Sequence, residues 1–86
     1  GQTAFQDRPV VIKGTFRYKS SEERKVSFGL YNAEGTLLYE SFKDQVQQRG
    51  EHKFKFLFEV RNVPKGKYYA RLISEGVVLE ELEVQF

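Results

Sequence analysis

Residues 54–72 read FKFLFEVRNVPKGKYYARL, and this stretch decides the fold class of the 86-residue chain. Successive side chains of a β-strand point to opposite faces. The alternation therefore places Phe54, Phe56 and Phe58 on one face and the intervening Lys55 and Leu57 on the other. A Pro-Lys-Gly turn at residues 64–66 then leads into a second alternating segment. Two strands joined by a turn, with a row of rings on one face, predict an antiparallel β-sandwich.

The same alternation predicts strands along the rest of the chain. They cover residues 10–18, 25–31, 36–42, 53–61, 67–73 and 77–86. The polar residues 43–51 could form a loop, a frayed edge strand or one helical turn, and we predict a loop. Six or seven short strands without an amphipathic helix indicate a sandwich or a barrel. We therefore predict one all-β domain over residues 9–86, preceded by a flexible polar tail over residues 1–8.

Two of the predicted strands depart from simple alternation. In strand 36–42 the inward face is ambiguous. Either Leu37 and Tyr39 face the core, or Leu38 and Phe42 do. The last strand changes phase, which predicts a bulge near Glu80 and Glu81 before Leu82 returns to the core face.

Composition limits the kinds of chemistry that the chain can perform. It contains eight Phe and five Tyr but no Cys, Trp or Met, so disulfides and thiolate metal sites are excluded. Its 14 Lys and Arg residues and 12 Asp and Glu residues give a net charge of +2, with both signs scattered along the chain. No apolar run approaches the roughly 20 residues that span a bilayer, so no transmembrane segment is predicted.

No catalytic or cofactor-binding motif is present in the sequence. His52 is the only histidine, and no serine lies in a Gly-x-Ser-x-Gly elbow. Carboxylates cluster at residues 22–23 and 80–83, but neither cluster has the Asp-rich or Asn-rich loop with an interior Gly that wraps calcium. We therefore predict a protein that is not an enzyme and has no metal site and no cofactor.

Residues 52–56, HKFKF, alternate basic and aromatic side chains as single-strand nucleic-acid binders do. In a strand, however, this alternation separates the rings from the lysines. Rings that face the core cannot also stack on bases. Nucleic-acid binding by an OB-like barrel is therefore a secondary hypothesis.

Four apolar residues fall on predicted solvent-facing positions: Tyr31, Leu57, Tyr69 and Ile73. If the strands that carry Leu57 and Tyr69 are neighbours, these side chains form a patch for a partner or for self-association. Scattered surface residues are the alternative interpretation.

Residues 60–72 resemble the penultimate hairpin of fibronectin-III-like and related immunoglobulin-like bacterial modules, which carry an apolar-x-x-Leu-Pro-x-Gly-x-Tyr pattern. Pro64, Gly66 and Tyr68 occupy the matching positions. The resemblance implies that Tyr68 is a tyrosine corner, with its ring in the core and its hydroxyl bonded to upstream backbone. Residues 26–38, with Gly35 in a turn between two strands, match the earlier part of such modules.

Two groups within this family are most similar. One is the C-terminal sorting domain of the type IX secretion system of Gram-negative bacteria, and the other is a set of small secreted immunoglobulin-like domains of unknown function. The resemblance implies an immunoglobulin-like antiparallel sandwich in the periplasm, at the cell surface or secreted. Its expected role is a non-catalytic interaction or spacer module with a protein or cell-envelope partner, and the alternative is a sorting domain.

Overall fold

The computed structural model describes residues 9–86, so the predicted tail over residues 1–8 lies outside the described residues. The described chain forms six β-strands: β1 Val10–Ser20, β2 Arg24–Asn32, β3 Leu37–Gln47, β4 Gly50–Val60, β5 Lys67–Ser74 and β6 Val77–Gln85. Residues 9–86 contain no helix that is long and apolar enough to cross a bilayer.

The strands form two antiparallel sheets, which confirms the all-β prediction. β1 pairs with β4 in an unbroken register from Val10 opposite Val60 to Ser20 opposite Gly50. The second sheet has the order β3-β2-β5-β6. Because a two-stranded sheet faces a four-stranded one, the two layers differ in width.

Phe28 on β2 joins the two layers. Its side chain is buried, and its ring centroid lies 5.0–5.9 Å from five other phenylalanine rings. Those rings come from β1, β3 and β4: Phe16, Phe42, Phe54, Phe56 and Phe58. The inward direction predicted for the rings of residues 54–58 is therefore confirmed, since they pack in one interior between the sheets.

The predicted loop over residues 43–51 is wrong, because β3 continues to Gln47 and β4 begins at Gly50. β3 is an edge strand, and its last residues pair with the start of β2 through backbone groups, with Val46 opposite Lys25. Backbone pairing does not depend on an apolar face. The polar sequence of residues 43–47 therefore gave no strand signal.

Irregular pairing also explains why the inward face of β3 could not be read from the sequence. The register between β2 and β3 shifts three times, and Asp44 has a φ of 50° and donates its N–H to Ser27 Oγ at 3.0 Å. Each extra residue reverses the alternation. As a result Leu38, Tyr39 and Phe42 all pack against the core.

In β6 the irregularity lies one residue before the predicted bulge at Glu80 and Glu81. Leu72 faces Glu80 and Ile73 faces Val78, so Leu79 is the additional residue. Leu82 points toward the interior beside Ala70 but stays 42% exposed. Leu82 therefore lies on the predicted core face without being buried. β6 is an edge strand, and the opposing sheet has too few strands to cover it.

Two turns show their determinants directly. Asn32 Oδ1 accepts hydrogen bonds from the N–H groups of Glu34 at 3.0 Å and Thr36 at 2.8 Å, and Gly35 in that turn has a φ of 85°. Glu75 and Gly76 have φ values of 50° and 80°, as a two-residue type I′ hairpin turn requires.

Candidate functional site

The outer face of the four-stranded sheet carries an aromatic cluster around one arginine. Tyr68, Ala70 and Leu72 point into the core, so Tyr69, Arg71 and Ile73 on β5 point outward. Tyr31 on β2 lies directly opposite Tyr69. Leu37 on β3 is opposite Tyr31 and is exposed. These five residues (Tyr31, Leu37, Tyr69, Arg71 and Ile73) are called the aromatic face below.

Arg71 occupies the middle of this face. Its guanidinium carbon lies 5.3 Å from the ring centroid of Tyr31 and 5.0 Å from that of Tyr69. Arg71 Nε also donates to Glu81 Oε2 at 2.6 Å, across the β5–β6 pair. Stacking on two rings and pairing with a carboxylate hold the arginine in one orientation, because the planar guanidinium combines both contacts.

Leu37 belongs to this face because Gly29 has no side chain. Gly29 is opposite Arg71, and a Cβ built on it would lie 2.6 Å from Leu37 Cδ1. The leucine therefore covers the place beside Arg71 that a larger residue on β2 would fill. From the sequence, Leu37 was only a candidate for the inward face of its strand. The register shifts between β2 and β3 prevented its outward orientation from being predicted.

Leu57 does not join the aromatic face. It lies on the outer face of β4, opposite Lys13, and β4 pairs only with β1 among the strands of residues 9–86. The strands that carry Leu57 and Tyr69 therefore belong to different sheets. The structure brings together three of the four predicted surface residues and places Leu57 on the opposite side of the molecule.

Pro64 and Gly66 lie in the turn between β4 and β5, and Tyr68 is the second residue of β5. The Tyr68 hydroxyl donates to the carbonyl oxygen of Pro64, and the Tyr68 ring stacks on Phe86 with centroids 4.8 Å apart. Gly66 exchanges two backbone hydrogen bonds with Phe86, at 2.8 and 3.2 Å. Burial raises the pKa of the Tyr68 hydroxyl, and the Glu34 carboxylate raises it further.

The side chains with potential for chemistry are separated or engaged with backbone. No group of three or more His, Asp or Glu side chains within residues 9–86 is arranged to hold a metal ion. His52 lies beside Tyr18, with ring centroids 6.0 Å apart, and its Nε2 is 2.6 Å from the carbonyl oxygen of Gln48. Three carboxylates of the predicted clusters pair with cations: Glu22 with Arg24, Glu81 with Arg71 and Glu83 with Lys67.

The basic and aromatic side chains of residues 52–56 point in opposite directions. Lys53 and Lys55 are exposed, whereas Phe56 is buried and Phe54 is half-buried against Phe28. Base stacking needs exposed rings. This stretch therefore offers cations but no stacking platform.

No protein-family model matches the chain, and no curated protein or solved structure matches it.

Proposed function

We propose that this chain is a non-catalytic, exported immunoglobulin-like β-sandwich module that binds a protein partner through the aromatic face. The observation that carries the proposal is Arg71, held between Tyr31 and Tyr69 on the outer face of the four-stranded sheet. Tyrosine and arginine are among the residues most enriched at the energetic centres of protein interfaces.

Preorganisation of these side chains favours binding. Arg71 is paired with Glu81 before any partner arrives, and its side chain is only 20% exposed. A partner that packs on this face therefore loses little side-chain entropy in ordering it. Leu37 and Ile73 supply apolar surface on either side, so the face combines an ordered polar centre with an apolar surround.

The turn at residues 62–68 supports the immunoglobulin-like part of the proposal. Tyr68 lies at the start of β5, and its hydroxyl reaches back to the backbone four residues upstream at Pro64. In immunoglobulin-like domains a tyrosine near the start of the penultimate strand makes this same contact. The exported location follows from the resemblance to secreted bacterial modules.

Site-specific photocrosslinking tests the proposal. A photoreactive residue replaces Ile73 on the aromatic face in cells that produce the protein, and a second version carries it at Glu59 on the other sheet. We expect a discrete protein adduct at position 73 that is absent at position 59. Adding Tyr69→Ser to the first version should abolish the adduct, because it removes one of the two rings that hold Arg71.

The adduct also identifies the partner. A product that contains only this chain shows that the aromatic face binds a second copy, and a product that contains another protein names the partner by mass. No adduct at position 73, or the same products at both positions, shows that the aromatic face is not the binding site.

A further inference from the structure

The outer face of the β1–β4 sheet collects five cations. Ile12, Phe16 and Tyr18 point into the core, so the residues between them point outward, and the same holds on β4. The outward cations are Lys13, Arg17 and Lys19 on β1 with Lys53 and Lys55 on β4. They are called the basic face below.

The strand register places like charges against each other. Arg17 is directly opposite Lys53, and Lys55 is opposite Thr15, which makes it the diagonal neighbour of both Lys13 and Arg17. Like charges directly opposite each other destabilise an antiparallel pair. If this face served only stability, residues of opposite charge would be expected opposite each other on β1 and β4.

Acidic residues do not neutralise this cluster. Within residues 9–86, none of the five cations is within ion-pair distance of a carboxylate. The two carboxylates of the same face lie toward its two ends, with Glu51 opposite Lys19 and Glu59 opposite Val11. Glu80 on β6 lines the same surface depression as Arg17 and Lys53, but no ion pair joins it to either of them. Cations therefore outnumber carboxylates in the middle of the sheet, although the whole chain carries only +2.

Two apolar residues border the cations on the same face. Leu57 is 59% exposed and lies opposite Lys13, and Val11 is 49% exposed at the next outward position along β1. Exposed apolar side chains beside flexible cations suit an interface that is anionic at its surface and apolar beneath. An anionic phospholipid bilayer has this composition.

We propose that the basic face binds the surface of bilayers that contain anionic phospholipids. The cations contact the headgroup phosphates, and Leu57 and Val11 enter the interfacial region between them. A nucleic acid would gain nothing from Leu57 or Val11, and this face carries no ring on which a base could stack. The site is on the opposite sheet from the aromatic face, so the two proposals can fail separately.

Vesicle sedimentation tests this inference. The purified chain is mixed with vesicles of phosphatidylcholine alone and with vesicles that also contain phosphatidylglycerol. We expect binding only to the anionic vesicles, with affinity that falls as salt is added. Removing two charges with Arg17→Gln and Lys53→Gln should weaken binding about 30-fold. Leu57→Ser should weaken it about fivefold.

A matched control separates location from net charge. Lys43→Gln with Lys65→Gln also removes two exposed cations, but outside the basic face. This control should bind anionic vesicles within about twofold of wild type, because the charges that it removes lie away from the headgroups. Equal weakening by both double variants shows that net charge alone drives binding, and overturns the proposal.

The melting temperature distinguishes a binding role of these cations from a structural one. Removing cations that stabilise the fold would lower it, whereas removing cations that only bind a bilayer would not. Arg17→Gln with Lys53→Gln removes a like-charge pair, so its melting temperature at low salt should equal or exceed that of wild type. A lower melting temperature shows that these cations stabilise the fold, and overturns the proposal. So does equal binding to neutral vesicles, or tighter binding to mixed-sequence DNA than to anionic vesicles.

Discussion

The hydroxyl of Tyr68 donates a hydrogen bond to the carbonyl oxygen of Pro64, across the turn that joins β4 to β5. The ring below this hydroxyl is buried and stacks on Phe86, which follows β6. One side chain thus links the turn, the core and the residue after β6. The ring contact with Phe86 connects β5 to the segment after β6.

Tyr68→Phe should lower the free energy of unfolding by about 1 kcal/mol, because it leaves the Pro64 carbonyl without its donor while keeping the ring in place. For a domain of this size the melting temperature should fall by about 4–8 °C. Thermal unfolding followed by circular dichroism measures the change. Tyr39→Phe is the control, since within residues 9–86 that hydroxyl forms no hydrogen bond, and equal losses in both variants would contradict the role of the Pro64 contact.

Alkaline unfolding should also report on Tyr68. Its pKa is raised in the folded protein above the ordinary value of 10.0, so the folded state holds this proton more tightly than the unfolded state. The resulting stability is fully present below about pH 10 and is lost as the pH rises through the folded pKa. Urea unfolding at successive pH values measures the free energy of unfolding of wild type and of Tyr68→Phe. The difference between the two should shrink as the pH rises through this range. A constant difference between the two proteins would exclude the contribution of Tyr68.

Gly29 is expected to tolerate a methyl group poorly. A Cβ at this position would lie 2.7 Å from the carbonyl oxygen of Tyr39, which is backbone in the neighbouring strand. Gly29→Ala should therefore cost about 1–3 kcal/mol, because β2 and β3 must separate. Gly14→Ala is the comparison, with the side-chain atom Cζ of Phe56 nearest at 2.9 Å. Urea unfolding should rank Gly29→Ala as the less stable variant, and the reverse order would show that β3 adjusts freely.

The parts of the fold that could be predicted from the sequence are those in which alternation is unbroken. β1 and β4 pair over their whole length without a register shift, and the inward face predicted for the rings of β4 is the observed one. Period two is informative in these strands because one face is buried and the other is solvated. The same reasoning gave the inward positions of β5 from Tyr68 to Leu72.

The edge strands could not be predicted in the same way. β3 and β6 border the four-stranded sheet, and both contain register shifts. Backbone groups of β2 and β5 determine where these strands run, so their own side chains carry a weak signal. For the candidate site, alternation placed Tyr31, Tyr69 and Ile73 outward, but only the strand order shows that Leu57 lies on another sheet.

The charge pattern of the basic face was present in the sequence but needed the register to be understood. Alternation sends Arg17 and Lys53 outward on separate strands, 36 positions apart in numbering, and nothing local reveals that they are opposite each other. Scattered charges in sequence can thus form a cluster of one sign in the folded protein. The small net charge of +2 concealed it.

The interior between the sheets depends most on Phe28. Its ring packs against five others from three strands, so Phe28→Ala should cost about 3–5 kcal/mol, a large fraction of the stability of a domain of this size. Phe28→Leu retains most of the volume and should stay folded at a smaller loss. Leu57→Ala is the matched control, since an exposed leucine should change the free energy of unfolding by less than about 0.5 kcal/mol. Urea unfolding measures all three, and a loss below about 1 kcal/mol for Phe28→Ala would show that the rings of the two sheets do not share one interior.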